Sequence, residues 1–252
     1  MDPNGKVAVI TGGASGIGLC TARLLAEKGA RIVIADLQDD AGAKVTEEIE
    51  AGGRQARFVH TDVTSSDDLQ GMLDFAVAQF GRVDIIYNNA GVGEGGENLF
   101  DLGSSYWVKT IAIDLEAVIR GTQLAVQLFR KQGGGGVIIN TASMAGLVPV
   151  GTTPVYAAVK AGVIHFSRSL AHLGSEEIRV NAICPQYTDT PMVRAGGEAA
   201  MEFMRREVGG ILEPEQIAEG VLQLIEDETA AGAIMRVTFR RGIEYWFERG
   251  RK

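Results

Sequence analysis

Short apolar runs rich in valine and isoleucine alternate with longer amphipathic segments along most of the chain. Near-continuous apolar runs such as VAVI and RIVIA are typical of strands in a parallel sheet that is covered on both faces. The runs predict seven strands, at 6–11, 31–36, 56–61, 84–88, 137–141, 179–184 and 233–239. The segments between them predict helices at about 16–28, 40–51, 66–80, 104–131, 155–174, 197–208 and 214–227.

This order of elements predicts the fold. Strands that alternate with helices form βαβ units, whose right-handed crossovers build a doubly wound sheet. We therefore predict an α/β chain with a single-domain Rossmann fold, in which a seven-stranded parallel sheet of order 3-2-1-4-5-6-7 has helices on both faces. A chain of 252 residues, 46% of them hydrophobic, can bury one large core, and no shift in composition marks a second domain.

Composition and charge exclude several classes of function. The net charge is −8, with acidic residues spread along the chain, and this argues against nucleic acid as a partner. Cys20 and Cys184 are predicted to be reduced, buried thiols. The three histidines lack the spacing of metal ligands, so no metal site is predicted. No signal peptide is visible and no apolar run approaches the ~20 residues of a membrane span, so we expect a cytoplasmic protein.

A glycine-rich turn, TGGASGIG at 11–18, joins the first strand to the first helix. Its glycines let backbone amides approach a pyrophosphate at the helix N-terminus. Asp36 ends the second strand, where its carboxylate can bind both ribose hydroxyls of adenosine and repel a 2′-phosphate. Because Leu37 carries no positive charge, the cofactor is predicted to be NAD and not NADP. The alternative is a glycine turn with a surface aspartate and no ligand.

Two further segments fit the same ligand. Asp62 and Val63 follow the third strand, near the expected adenine, and Asn89 and Gly91 follow the fourth strand at the sheet edge where such folds bind ligands. Asn88 is interpreted as a buried amide that ties neighbouring strands together. The predicted contacts of this part of the cofactor are Gly12, Ser15, Gly16, Ile17, Gly18, Asp36, Leu37, Asp62, Val63, Asn89 and Gly91.

Tyr156 and Lys160 are four residues apart, so their side chains project from the same face of a helix. An ammonium beside a phenol stabilises the phenolate, which makes the tyrosine a usable acid or base. The pattern Y-x-x-x-K alone is common on solvated helices. Here it accompanies the glycine turn and Ser143, thirteen residues upstream, which could also serve only to cap a turn.

Together these elements resemble the short-chain dehydrogenase/reductase family over essentially the whole chain. The resemblance rests on TGGASGIG, Asp36, DV at 62–63, NNAG at 88–91, Ser143 and YAAVK at 156–160. The chain is also similar to the NAD-dependent 15-hydroxyprostaglandin dehydrogenase branch, through INTASMAGLVPV at 139–150, NAICP at 181–185 and the segment 224–246.

The resemblance implies a role for each matching residue. Tyr156 would exchange a proton with the alcohol or carbonyl oxygen, and Ser143 would hold that oxygen. Lys160 would assist Tyr156 and hydrogen-bond the nicotinamide ribose. Thr188 and Thr190 match positions that contact the nicotinamide carboxamide and the diphosphate.

The chain departs from the family pattern at two positions. Asp114 stands where the family usually has an asparagine that supports a helix kink and a water leading to the lysine. Aspartate has no amide donor, and its charge would raise the pKa of Lys160. Gln186 stands where the family usually has glycine after Pro185. It would be strained if its φ is positive, or it would reach the active site and contact substrate.

The expected substrate is a hydrophobic small-molecule secondary alcohol or ketone. Segment 190–212 is the variable substrate lid of the family, and the aromatic tail 243–252 is expected to fold over the pocket or across a subunit interface. The predicted substrate contacts are Ser143, Thr153, Tyr156, Gln186 and Met192, although the prostaglandin branch typically has glutamine at the position of Thr153.

A homodimer is expected first and a homotetramer second. The alternatives are a ketone or quinone reductase of the same family and a non-catalytic NAD-binding regulatory protein.

Overall fold

The computed structural model describes residues 1–93 and 99–247, and within them one eight-stranded sheet. The strands are β1 (Val7–Thr11), β2 (Arg31–Asp36), β3 (Ala56–His60), β4 (Ile85–Asn88), β5 (Gly136–Thr141), β6 (Ile178–Pro185), β7 (Ile234–Thr238) and β8 (Gly242–Phe247). Their order is β3-β2-β1-β4-β5-β6-β7-β8. The predicted order of the first seven strands is confirmed, and all of them are parallel.

The predicted number of strands is wrong, because β8 adds an antiparallel strand beside β7. Gly242, with φ of +68°, follows the turn that reverses the chain. Tyr245 then donates a hydrogen bond of 2.6 Å to Asp227, and the Trp246 ring lies 4.4 Å from the Arg236 guanidinium. Residues 243–247 of the predicted aromatic tail therefore cover the edge of β7, which would otherwise expose unpaired backbone groups. The rest of that tail, 248–252, lies outside the described residues.

Helices cover both faces of the sheet. They are α1 (Gly16–Glu27), α2 (Asp39–Ala51), α3 (Ser66–Phe80), α4 (Tyr106–Ile111), α5 (Ala117–Gln132), α6 (Pro154–Ser169), α7 (Pro191–Arg194), α8 (Gly197–Val208) and α9 (Pro214–Glu226). The helix predicted over 104–131 is present from Tyr106 to Gln132, but it contains a π-helical turn at Ala112–Glu116, which separates α4 from α5. The helix predicted at 155–174 ends at Ser169 and continues as a 3₁₀ turn, Ala171–Glu176.

Two apolar layers hold the helices against the sheet. Successive side chains of a strand point to opposite faces, so Ile10 joins one layer and Val9 the other. The first layer contains residues of α1 and α9, such as Leu25, and the second contains residues of α3 and α5, such as Leu73. Because helices cover both faces of the sheet, a ligand site can form only at the ends of the strands.

Both cysteines are free thiols. Cys184 is fully buried, while Cys20 is only half-buried and donates a hydrogen bond of 3.3 Å to Glu215. Burial raises the pKa of each thiol to about 12, so neither is a reactive thiolate near neutral pH. Within 1–93 and 99–247, no cluster of metal-ligand side chains is present. No helix in the same part of the chain is long and apolar enough to cross a membrane.

Candidate active site

The glycine-rich turn packs against the end of β4 at the carboxyl edge of the sheet. Gly12 has φ of +64°, and a Cβ added to it would lie 2.9 Å from the Cα of Ala90. A Cβ added to Gly18 would lie 2.1 Å from the carbonyl oxygen of Gly12. Ile17, between these glycines in the chain, packs on the core. Glycine is therefore required here by close backbone packing, which brings the turn beside the ends of β1 and β4.

The N-terminus of α1 opens at this turn. Ser15 is its N-cap residue, but its side chain makes no capping hydrogen bond, and no acidic residue stands in the first turn. The first backbone N–H groups of a helix have no partner within the helix, and the helix dipole attracts an anion to them. A Cβ on Gly16 would lie 3.1 Å from the Cγ2 of Thr190. Thr190, predicted to contact the same ligand, is thus a direct neighbour of this helix end.

Asp36 is held next to the glycine-rich turn. One carboxylate oxygen accepts a hydrogen bond of 3.0 Å from the Ala14 N–H, and the other accepts one of 3.0 Å from the Gln38 N–H. The residue is 7% exposed, whereas Leu37, which follows it, is 55% exposed. Each carboxylate oxygen has more than one acceptor site, so these two bonds fix the group and leave acceptor capacity for a ligand.

The remaining polar groups of the predicted cofactor site form two sets. Asp62 accepts hydrogen bonds from the backbone and the hydroxyl of Thr64, at 2.9 and 2.8 Å, while Val63 packs on the core. Asn89 donates to the carbonyl oxygens of Thr11 and Gly12, at 3.0 and 3.2 Å. The Asn89 side chain therefore fastens the glycine-rich turn to β4.

Asn88 has a buried structural amide, as predicted from the sequence. Its Nδ2 donates to the Oδ1 of Asn140 at 2.8 Å, and the Nδ2 of Asn140 donates to Ser167 at 3.0 Å. These bonds connect β4, β5 and α6 inside the core. They hold together the strands and the helix that carry the next group of side chains.

Tyr156 and Lys160 lie one turn apart on α6, which begins with Thr153 as N-cap and Pro154 as its first residue. Proline is favoured there because its missing N–H would have no helical partner. The Nζ of Lys160 is 5.5 Å from the centroid of the Tyr156 ring. Lys160 is only 3% exposed, and its Nζ donates to the carbonyl oxygen of Thr141 at 3.0 Å. The ammonium is therefore fixed between the tyrosine and the end of β5.

Asp114 forms a buried ion pair with Lys160. Its Oδ1 is 3.2 Å from Nζ, and it also accepts a 3.2 Å hydrogen bond from the Val92 N–H. Asp114 is fully buried in the π-helical turn, a feature that is frequent at functional sites. A Cβ on Gly91 would lie 2.6 Å from its Oδ1, so Gly91 leaves room for the carboxylate.

This pair controls the ionisation of the lysine. Burial is the largest single influence on Lys160 and lowers its pKa, but the charge and hydrogen bond of Asp114, together with Tyr156 and Cys184, outweigh it, and the pKa lies above its ordinary value. Burial raises the pKa of Asp114, and the attraction of Lys160 partly offsets that increase. The sequence prediction that Asp114 raises the lysine pKa agrees with this arrangement.

Ser143 follows β5 and precedes a single 3₁₀ turn, Met144–Gly146. Its Oγ accepts a 3.1 Å hydrogen bond from the Ala145 N–H, so the hydroxyl does cap a turn. A hydroxyl that accepts one bond still carries a proton that it can donate. Ser143 is half-buried, and it stands at the same edge of the sheet as Tyr156.

Gln186 is not strained. Among the described residues, Glu177 is the one non-glycine residue with positive φ, so the condition under which Gln186 would be strained is not met. Its side-chain Oε1 accepts a 2.9 Å hydrogen bond from the Phe239 N–H, which ties the end of β6 to the chain after β7. Thr188 is 3% exposed and donates to the Gln186 carbonyl oxygen at 2.9 Å.

Met192 and Thr153 lie around the opening of the site. Met192 is 45% exposed, and its Cγ would be 3.9 Å from a Cβ on Gly93. Gly93 follows β4 and is the last residue described before the segment 94–98. Thr153 is half-buried at the start of α6.

The sequence interpretation missed a set of arginines near this edge. Arg236, Arg240 and Arg241 line a cavity that also contacts Met144 and Gln186. The signal was present as two consecutive arginines directly after the last predicted strand.

The chain is similar to several known proteins. A family model described as short chain dehydrogenase matches residues 6–200. The 15-hydroxyprostaglandin dehydrogenase [NAD(+)] of Bos taurus is 38% identical, with 97% of this chain and 95% of the relative covered. The cis-4-hydroxycyclohexanecarboxylate dehydrogenase of Sinomonas cyclohexanicum is 40% identical, with 92% and 94% covered. A short-chain type dehydrogenase/reductase structure from Mycobacterium marinum has a TM-score of 0.89 at 30% identity, with 94% and 95% covered.

A doubly wound sheet with a glycine-rich turn at its carboxyl edge and a tyrosine–lysine pair beside it defines a dinucleotide-dependent oxidoreductase. The chain belongs to the short-chain dehydrogenase family. The family predicted from the sequence motifs is therefore confirmed.

Proposed function

We propose that this chain is an NAD-dependent oxidoreductase that interconverts a secondary alcohol and a ketone in a hydrophobic small molecule. The observation that carries the proposal is the buried Lys160 ammonium, held by Asp114 and Thr141 beside the Tyr156 ring at the edge where the glycine-rich turn opens. A protein that only bound a nucleotide would have no need of a fixed cation beside a phenol.

The residues at the sheet edge fit NAD. The uncapped start of α1 suits a pyrophosphate, and Asp36, with acceptor capacity left on both oxygens, suits an unphosphorylated ribose. Thr188, Thr190 and Gly91 belong to the proposed nicotinamide end, and Asp62 with Val63 to the adenine end. When bound, NAD supplies the acceptor or donor of a hydride.

The side chains of this protein would move the proton and orient the substrate. In alcohol oxidation, the Tyr156 oxygen takes the proton of the substrate hydroxyl as the carbonyl forms. The Lys160 ammonium stabilises the negative charge on that oxygen, and Asp114 keeps the ammonium charged and in place. Ser143 donates a hydrogen bond to the substrate oxygen, which stabilises the alkoxide character of the transition state.

Several observations support a hydrophobic substrate. Met192 is exposed beside the site, and segment 190–212, which contains α7 and α8, is proposed as the lid. Thr153 and Gln186 are further proposed contacts. The names of relatives include a hydroxyprostaglandin and a hydroxycyclohexanecarboxylate, and a structural neighbour with a TM-score of 0.87 at 28% identity is levodione reductase. Lipophilic and cyclic alcohols or ketones are therefore the first class to test.

The test is the rate of NADH formation, followed by absorbance, with purified protein and a panel of secondary alcohols from small cyclic alcohols to steroids and hydroxylated fatty acids. Oxidation of at least one class with NAD⁺ is expected, and the size dependence of kcat/KM then outlines the pocket. Absence of turnover in both directions, with the corresponding ketones and NADH included, would contradict the proposal if NADH still binds.

The cofactor preference gives a separate prediction. Replacing Asp36 with asparagine removes the charge that repels a 2′-phosphate, while the amide oxygen can still accept one backbone hydrogen bond. We expect the preference for NADH over NADPH to fall by about 10-fold to 100-fold, the effect of a hydrogen bond to a charged group. The measurement is titration of tryptophan fluorescence with each cofactor. Asp74→Asn, which removes a charge from α3, is the matched control, and an unchanged preference in Asp36→Asn would exclude the role of Asp36.

We also propose a cytoplasmic protein that forms a homodimer, or as a second possibility a homotetramer. Trp107, Val108 and Ile119, on α4 and α5, are each at least 39% exposed, and apolar residues of this size are normally covered when they are grouped. Light scattering after size-exclusion chromatography measures the mass of the particle. A monomer at working concentration would exclude both assemblies.

A further inference from the structure

A cavity of about 280 Å³ lies where β6 and β7 end. Its lining contains Met144, Gln186, Glu207 and three arginines, Arg236, Arg240 and Arg241. The chain as a whole has a net charge of −8, so a group of three arginines around one cavity is a local reversal of charge. None of these arginines has a role in the function proposed above.

The cavity is next to the predicted reaction centre. Met144, which lines the cavity, directly follows Ser143 in the chain. In the sheet, β5 pairs with β6 and β6 with β7, and neighbouring strands are ~4.8 Å apart. The end of β7 is therefore roughly 10 Å from the end of β5. A single small molecule can reach from Ser143 to the arginines.

The three arginines are not equivalent. The Nε of Arg236 is 2.6 Å from Glu244, and its guanidinium lies over the Trp246 ring, so β8 fixes this side chain and balances its charge. Arg240 and Arg241 are exposed, and neither makes an ion pair with a described residue. Arg240 is also close to the proposed lid, since its Nε would be 3.3 Å from a Cβ on Gly209.

The other polar groups of the lining leave a surplus of donors. Gln186 uses its Oε1 to accept from the Phe239 N–H, so its remaining polar atom, Nε2, is a donor. Glu207 supplies one negative charge against Arg240 and Arg241. Guanidinium groups have no acceptor and match the two oxygens of a carboxylate in a planar, bidentate geometry. The cavity is therefore complementary to a small anion attached to an apolar body.

We propose, on the basis of the function proposed above, that this cavity binds a carboxylate of the substrate. The substrate is then a hydroxy acid, or the matching keto acid, whose acid group is several bonds away from the reacting carbon. Arg240 and Arg241 bind the carboxylate, Arg236 supports the wall of the cavity, and the hydrocarbon part of the molecule lies between Met144 and the opening near Met192.

The first test compares acids with their methyl esters as substrates of the full-length enzyme. The probes are 4-hydroxycyclohexanecarboxylate and 12-hydroxyoctadecanoate, each assayed with NAD⁺ beside its ester. For whichever of the two acids is the better substrate, we expect kcat/KM to be at least about tenfold higher than for its ester. This is the effect of one charge-assisted hydrogen bond. Esters that are oxidised as well as the acids would overturn the carboxylate site and leave the proposed oxidoreductase intact.

The second test uses charge variants. We expect Arg240→Gln and Arg241→Gln each to raise KM for the acid by about tenfold, and the double variant to raise it further, with little change for the ester. Arg54→Gln, which removes an exposed arginine at the opposite edge of the sheet, should leave both substrates unchanged. Glu207→Gln removes the opposing charge and should lower KM for the acid. Equal effects on acid and ester in the arginine variants would indicate a structural role only.

A binding measurement keeps the proposal testable if no alcohol is oxidised. Calorimetric titration of the protein with cyclohexanecarboxylate, in the presence of NADH, is expected to show binding that weakens with added salt. The Arg240→Gln/Arg241→Gln variant should lose this binding, and Arg54→Gln should keep it. Binding without turnover would contradict the proposed function alone, and no binding by the wild-type protein would contradict the carboxylate site.

Discussion

Replacing Tyr156 with phenylalanine is expected to lower kcat for alcohol oxidation by about 10²-fold to 10⁴-fold, the usual contribution of a positioned general acid or base. Phenylalanine keeps the ring that lies 5.5 Å from the Lys160 ammonium and removes only the oxygen that exchanges the proton. The dissociation constant of NADH, measured by fluorescence titration, is expected to change by no more than about threefold, well under the effect of a lost charged hydrogen bond. The enzyme would still bind its cofactor and would lose its chemistry.

Tyr245→Phe is the matched control for this experiment. It also removes one tyrosine hydroxyl, the one that donates to Asp227, but Tyr245 pairs with Met235 in the sheet, away from the carboxyl edge. Its kcat should stay near that of the wild type. Substantial activity in Tyr156→Phe would contradict the assigned proton transfer and restore the hypothesis of a non-catalytic, NAD-binding regulatory protein.

The second large effect is expected at Asp114. Asp114→Ala leaves the Lys160 ammonium buried without a counterion, and removing one partner of a buried pair costs about 3–5 kcal/mol in the free energy of unfolding. Asp114→Asn should cost less, because its amide oxygen can still accept from Lys160 or from the Val92 N–H. Urea denaturation of both variants measures the difference.

The double variant Asp114→Ala/Lys160→Met completes this test. Removing both charges should destabilise the protein by less than the sum of the two single changes, because the second change removes the charge that the first left uncompensated. Glu198→Ala, which breaks the exposed pair with Arg205, is the control and should have no measurable effect. Additive effects of Asp114→Ala and Lys160→Met would show that the two groups are not coupled.

The same pair predicts a change in the pH dependence of activity. Asp114 raises the pKa of Lys160 in the folded protein, so the cation and its stabilising effect are complete below ~10.4, the ordinary lysine value, and are lost as the pH rises through the raised pKa. In Asp114→Asn, burial remains and the attraction is gone, so the lysine pKa should fall. The alkaline loss of kcat/KM should therefore move to lower pH. Identical alkaline limits in both proteins would exclude this role of Asp114.

The order of the first seven strands was predictable because each strand is a local apolar run and the right-handed crossover rule then limits the topology. β8 was missed for a non-local reason. Its segment, GIEYWF, resembles an aromatic tail when it is considered alone, and it becomes a strand only because the edge of β7 is available as a partner. The π-helical turn does not follow from the apolar pattern, since α4 and α5 follow one helical period; the resemblance alone pointed to a kink at Asp114, which lies in this turn.

In the candidate site, too, some features follow from local sequence and others depend on residues far away in the chain. Asp36 ends β2 and the motif of Tyr156 and Lys160 follows β5, both toward the carboxyl edge of the sheet, as strand order predicts. The sequence left two alternatives open for Gln186, because its side chain is held by a hydrogen bond from Phe239, fifty-three residues away. The arginine cavity has four contributing segments, and only the fold brings Met144, Gln186, the end of α8 and residues 236–241 together.

The measurement that tests the central claim most directly follows a labelled hydrogen. The most active alcohol of the panel would be synthesised with deuterium on its carbinol carbon and incubated with the enzyme and NAD⁺, and the reduced cofactor would be analysed by mass spectrometry. Oxidation by hydride transfer predicts one deuterium in each molecule of NADH, together with a slower rate than for the unlabelled alcohol. NADH without deuterium, or none at all from a protein that binds the cofactor, would contradict the account.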